Sequence, residues 1–198
     1  LAQINAAYGQ GQGLIVVGIE GKDRKHDLTS PATNPADQKR LPTAGGADAY
    51  RRFLVEDLRP WVAARYRTNG RSALMGESLA GLFVAETLLR APSGFDDYII
   101  VSPSLWWNQG ALAAQAKADL QRAGFSGVRA WIAFDDPPPP ADQARKDRAD
   151  QDRLEAAFRD AHPAGLTWTV TRPGETHGGI YHPAALRAFR ALYGPPGG

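Results

Sequence analysis

The chain has 198 residues, enough for one sizeable core, and reads as a single domain over 1–198. Its 43% hydrophobic and 22% charged residues are ordinary for a globular protein, and a net charge of +2 with no concentrated basic block argues against a nucleic-acid binder. The absence of cysteine excludes disulfides, thiolate metal sites and cysteine catalysis, and no apolar run reaches the ~20 residues a membrane span needs. The first residue is Leu, not Met, and no signal peptide is legible, so a processed form or a fragment is expected and the compartment stays open between periplasm and cytoplasm.

In chain order, Leu1 to Tyr8 reads as the end of a helix. Leu14 to Ile19, LIVVGI, is a short β-branched apolar run and predicts a strand buried on both faces. Gly21 to Gly46 is polar, carries three prolines, and is too long for a plain connection, so it is read as functional or disordered. Asp48 to Tyr66 predicts an amphipathic helix, with Tyr50, Phe53, Leu54, Leu58, Trp61 and Val62 at three- and four-residue steps and a kink at Pro60. Ala73 to Met75 opens a strand that runs into a turn and a long apolar helix ending near Arg90. Tyr98 to Val101, Val128 to Phe134 and Leu166 to Thr171 are further strands. Helices are expected over Ala111 to Ala123, Asp147 to His162, and from Pro183 to Gly194. This alternation predicts an α/β domain with a mainly parallel sheet. Its working loops should follow Ile19, Met75, Val101, Phe134 and Thr171, at the carboxyl edge of the strands.

The turn in Gly76-Glu77-Ser78-Leu79-Ala80-Gly81 carries the chemistry. A serine between a strand and a helix, among small residues, has the layout of a nucleophile elbow, although alanine stands at position 80 where the strict pattern has glycine. The competing reading is a serine that only caps the helix from Leu79. A serine nucleophile needs a base. Of the four histidines, His177 lies in a glycine-flanked loop after the last strand, in the chain order expected after Ser78. His26 falls in the long polar loop, while His162 and His182 read as residues at helix ends. The acid that would orient the histidine should follow the preceding strand, at Asp135 or Asp136; Asp136 is preferred, Glu175 is close by, and a dyad without an acid is the alternative. Leu79 N–H is one expected oxyanion donor, and Arg24 is expected near the substrate. Trp106 and Trp107 cannot both point one way in extended backbone, so one is expected in the core and the other on an aromatic wall suited to an aryl or catechol-like ligand. The chemistry needs no cofactor and no metal, and its partner is a small-molecule ester; the oligomeric state stays open.

These pieces resemble the esterase D-like branch of the α/β hydrolases, most closely bacterial siderophore esterases that open enterobactin-type trilactones. The likeness rests on Val16 to Pro31 with its Arg-x-x-Asp-x-Thr segment, Gly76 to Phe83, Ser102 to Asn108 (SPSLWWN), and His177. It implies an α/β-hydrolase fold with Ser78 as nucleophile, His177 as base, and Arg24 at a substrate or oxyanion position. Members of that branch carry more sheet before Leu14, including an Asp-Gly loop at the oxyanion hole, and the chain as read is expected to lack those first strands. The Gly-x-x-Glu-like pattern expected after Phe134 is replaced by four prolines. The alternatives are a general carboxylesterase or acyltransferase, and a non-catalytic binding module with a degenerate site.

Overall fold

The computed structural model describes residues 13–136 and 142–194. The helix end expected at Leu1 to Tyr8 and the run of four prolines lie outside the described residues. Four strands, β1 (Ala73–Glu77), β2 (Asp97–Val101), β3 (Val128–Ala133) and β4 (Leu166–Thr171), form a parallel sheet in the order β1-β2-β3-β4. The register aligns Glu77, Val101, Ala133 and Thr171 in one row across the carboxyl edge. Whatever follows those four residues is therefore delivered to one line.

Before the sheet come α1 (Arg24–Asp27), α2 (Pro35–Arg40), α3 (Ala47–Arg52), a π-helical turn (Phe53–Leu58) and α4 (Arg59–Ala63). After the strands come α5 (Leu79–Arg90), α6 (Ala111–Arg122), α7 (Asp142–Ala161) and α8 (Tyr181–Tyr193). Strands added always on one side send successive crossovers to one face of a parallel sheet. That face holds the main core: Tyr98 and Ile100 of β2 and Ala130 and Ile132 of β3 meet Leu82, Phe83 and Leu88 of α5, Leu120 of α6, and Leu154 and Phe158 of α7. The alternate strand residues Ile99, Val101 and Ala133 face the other way and meet Ile180, Ala184 and Ala188 of α8. Alanines four residues apart bring α8 close to the sheet. Both faces of β2 are thus covered, which is why all five of its residues are buried.

Two expectations change. Leu14 to Ile19 forms no strand: no ladder joins it to β1, and Ile15, Val16 and Val17 are 49%, 63% and 45% exposed. An apolar run supplies the composition of a buried strand, but a strand also needs a hydrogen-bonded partner and cover on both faces. The segment instead lines a cleft of about 1070 Å³ beside β1, shared with Leu54, Leu74, Met75, Phe83 and Phe189. The helix expected over Asp48 to Tyr66 is present, but its irregularity precedes Pro60 as the π-helical turn, because proline has no N–H to continue the α-ladder. Phe53 and Trp61, placed by periodicity on the apolar face, are 40% and 49% exposed, while Leu54 is buried. Pro183 falls in the first turn of α8, as expected.

The polar segment from Gly21 to Gly46 is ordered by its own hydrogen bonds. Asp23 caps α1 by accepting from Lys25 and His26 N–H at 3.0 Å each. The buried Thr29 donates to Lys25 O at 2.6 Å, and its carbonyl accepts from Gly45 and Ala47 N–H. Thr33 N–H donates to Asn108 Oδ1 at 2.7 Å, which pins this segment to the loop after β2.

At the amino edge of the sheet, Asp97 is 2% exposed and bound by three side chains through four hydrogen bonds. Arg129 donates to its two oxygens at 2.7 and 2.8 Å, Arg71 at 3.1 Å, and Tyr193 Oη at 2.9 Å. Burial alone would raise the Asp97 pKa, but the hydrogen bonds from Arg129 and Tyr193 and the charges of Arg129 and Arg71 outweigh it and hold it below the ordinary 3.8. A carboxyl depressed in the folded state stabilises above its unfolded value and loses that contribution as pH falls through the folded one. Asp97→Asn should therefore destabilise the protein by about 3 kcal/mol at pH 7, with the gap from wild type closing below pH ~4, read by urea unfolding at both pH values. In the main core, a Cβ built on Gly81 would lie 2.6 Å from Val101 O and 3.1 Å from Pro103 Cα. Gly81→Ala should lower stability by about 1–3 kcal/mol through that overlap, measured by the same titration.

Candidate functional site

The site is built on the row of strand ends. Ser78 follows Glu77, and its backbone has φ 61° and ψ −120°, a conformation that side-chain-bearing residues seldom hold. Several bonds maintain it. Ser78 N–H donates to Val101 O at 3.1 Å, and Ser78 O accepts from Leu82 N–H at 2.9 Å and Ser104 N–H at 3.0 Å. The turn also depends on small neighbours: a Cβ on Gly76 would come within 2.5 Å of the Ala80 carbonyl group and 2.8 Å of its Cβ. Ser78 makes no side-chain capping bond to α5, so the helix-cap reading is set aside. Its Oγ instead lies 3.3 Å from Ser104 Oγ. Leu79 opens α5, so its N–H belongs to the first turn, where no intrahelical acceptor exists. Arg24, from α1, reaches the same turn and donates from Nη2 to Glu77 O at 3.3 Å.

The structure brings His177 to this edge, in the loop between β4 and α8. Its Nδ1 is 2.6 Å from Ser102 Oγ and 3.6 Å from Asp135 Oδ2. The short contact is the one with hydrogen-bond length. Asp135, two residues beyond β3, is the acid that meets His177. Asp136, the preferred residue in the sequence, points its carboxylate at Arg148 instead, while its N–H donates to Glu175 O at 2.7 Å. The split follows from alternation: adjacent residues leaving a strand cannot present both side chains to the same neighbour. Asp135 Oδ1 accepts from Gln151 Nε2 at 2.9 Å, and Gln151 in turn accepts from Arg172 at 3.0 Å. Burial alone would raise the Asp135 pKa, but hydrogen bonding by His177 and Ser102 outweighs it and leaves the carboxyl below its usual range. His177 is shifted upward, chiefly by Asp135, against its own burial; Glu77 and Asp147 add to the shift.

The backbone turns into a 3-10 helix at Trp107–Gly110 rather than running extended, and the two tryptophans differ in burial. Trp107 is 3% exposed and its Nε1 donates to Ser30 Oγ at 3.2 Å, so it packs in the core. Trp106 is half-buried, with the Arg40 guanidinium 3.7 Å above its ring. The other histidines stay apart from this group. His26 bonds Asp27, His162 takes φ 45° just past the end of α7, and His182 lies in the first turn of α8. The large cleft beside β1 is lined by Arg24 and Ala80, but neither Ser78 nor His177 borders it.

Sequence reasoning missed Ser102, Ser104 and Gln151. The two serines were legible in principle, as a pair of hydroxyls on the loop directly after β2. Gln151 carries no sequence signal; only the packing of α7 aims it at Asp135. Asp135→Asn should lower the His177 pKa, whereas Asp136→Asn should leave it unchanged, both followed by NMR titration of the imidazole.

Residues 3–160 match the family described as "Putative esterase". The chain is 36% identical over 111 residues, 52% of its length, to the siderophore enterobactin esterase of Emericella nidulans. It is 38% identical over 92 residues, 43% of its length, to the ferri-bacillibactin esterase BesA of Bacillus subtilis. These alignments span 37% and 32% of the relatives' own lengths. The likeness is shared by a fungal and a bacterial protein, so it is not confined to bacteria. A solved IroE-like serine hydrolase of Shewanella oneidensis superposes with TM-score 0.78 at 23% identity, over 89% of this chain and 58% of that one, and this likeness establishes the fold. With the family match covering most of the chain and its sheet carrying the same architecture, the protein belongs to that esterase family and has the α/β-hydrolase fold.

Proposed function

We propose that the protein is a serine esterase that works through an acyl-enzyme. The observation that carries the reading is Ser78, held at φ 61° on the same strand-end row that supplies His177 and Asp135. Nδ1 of His177 is committed to Ser102 and Asp135, which leaves Nε2 to take the Ser78 proton. Ser78 Oγ attacks the ester carbonyl carbon, and the leaving alcohol departs with the proton from His177. Water then attacks the acyl-enzyme, gives a proton to His177, and releases the acid as Ser78 regains its hydrogen. Leu79 N–H offers one hydrogen bond to the developing oxyanion, and the Arg24 guanidinium adds positive charge beside the turn. Asp135 orients the imidazole and stabilises its cation.

For the substrate, we infer a siderophore ester of the trilactone type. Support comes from the matched relatives, named as esterases of enterobactin and ferri-bacillibactin. Trp106, with Arg40 stacked on it, offers an aromatic and cationic surface on the loop that touches Ser78.

The purified protein should hydrolyse p-nitrophenyl esters and be labelled at Ser78 by a fluorophosphonate. Ser78→Ala should lose labelling and cut kcat by roughly 10³-fold or more. A wild-type protein that is neither labelled nor active would falsify the esterase reading. A catecholate trilactone should be cleaved with a higher kcat/KM than a simple acetate ester; the reverse preference would point to a general carboxylesterase.

A further inference from the structure

Ser102 has no place in the usual set of nucleophile, base and acid, yet its geometry is highly constrained. It follows β2 directly, is 2% exposed, and holds φ 41°, a left-handed conformation unfavourable for serine. Its N–H donates to Ala133 O at 2.8 Å, which fixes the backbone in place. Strain of this kind persists only where surrounding structure imposes it, and it concentrates at working sites. The hydroxyl lies 2.6 Å from His177 Nδ1, and its interaction with the Asp135 carboxylate helps hold that group's pKa down.

Resting on the esterase reading, we propose that Ser102 is a positioning residue that connects the base to its acid and selects the imidazole tautomer. A hydroxyl has one proton to donate. The Asp135 carboxylate can only accept, so the Ser102 proton is directed to Asp135. The Ser102 oxygen is then left to accept, and its partner must be Nδ1–H. That places the ring proton on Nδ1 and leaves Nε2 bare for the Ser78 hydroxyl. Asp135, 3.6 Å from Nδ1, acts on the histidine largely through this hydroxyl. Gln151 holds the other oxygen of Asp135 and keeps the carboxylate turned toward Ser102. Glu77 and Asp147, both acidic, act on His177 through their charge and raise its pKa further.

Ser102→Ala and Ser102→Gly provide the test. Glycine suits φ 41°, so that variant removes the hydroxyl without backbone strain and should fold. Both variants should lower kcat for p-nitrophenyl acetate by about 10- to 100-fold, part of the 10²–10⁴ that acid–base catalysis contributes, with KM within about twofold. The His177 pKa should fall, moving the acid limb of the kcat profile to lower pH, and ¹⁵N shifts of the imidazole should show a mixture of tautomers. Adding Asp135→Asn to Ser102→Gly should cost little more, since both changes cut the same connection. Unchanged kcat, pKa and tautomer in both variants would overturn the proposal, as would a loss confined to KM. Fluorophosphonate labelling of the wild type tests the esterase reading separately. If that fails, the NMR tautomer and pKa still decide whether Ser102 governs His177.

Discussion

The contact on which this molecule depends is the approach of α5 to the ends of β1 and β2. There is no room for a Cβ at Gly76 or at Gly81, because the Ala80 backbone and Val101 O already occupy those positions. That closeness forces the chain to turn within one residue, and the residue at the turn is Ser78. Its unfavourable backbone is offset by hydrogen bonds from β2, from α5 and from the loop at Ser104. Alanine at position 80 meets the same steric requirement as the glycine of the strict pattern, because the group it must clear, Gly76, has no side chain.

From that turn the site extends along the strand ends. A parallel sheet in sequential order carries the loops after β1, β2, β3 and β4 past one another in register. Ser78, Ser102, Asp135 and His177 come from four different segments, yet each lies within six residues of its strand end. The chemistry they share is an alternation of donors and acceptors. Gln151 donates to Asp135, Ser102 and Asp135 face Nδ1 of His177, and Ser104 meets the Ser78 hydroxyl. Burial would push the Asp135 carboxyl toward its neutral form, and its interactions with His177 and Ser102 keep it charged. The opposite edge of the sheet uses the same logic for stability. There Asp97 joins β2, β3 and α8 through Arg129 and Tyr193.

The segment before the sheet behaves differently. Leu14 to Ile19 has the composition of an inner strand but neither a ladder nor cover, and it remains beside the cleft along β1. The polar stretch that follows is longer than a simple connection needs. It is instead organised by Asp23, Thr29 and Asn108, each a short polar side chain satisfying nearby backbone groups.

The amino-acid sequence by itself determined the alternation of strands and helices, the elbow at Ser78, and the place of His177 in chain order. Those features are local: hydrophobic period, small residues at a turn, and a glycine-flanked loop after the last strand. Only the tertiary structure shows that Asp135, not Asp136, stands beside His177, because that depends on which way a side chain leaves β3 and on Arg148 and Gln151 approaching from α7. It also separated Trp107, closed into the core by Ser30, from Trp106, half-buried beneath Arg40. Leu14 to Ile19 marks the limit of local reading, since strand pairing is a property of two segments and is not written in either alone. Ser102 illustrates it most directly: its hydroxyl gains meaning only when β2, β3 and the His177 loop are brought within hydrogen-bond reach.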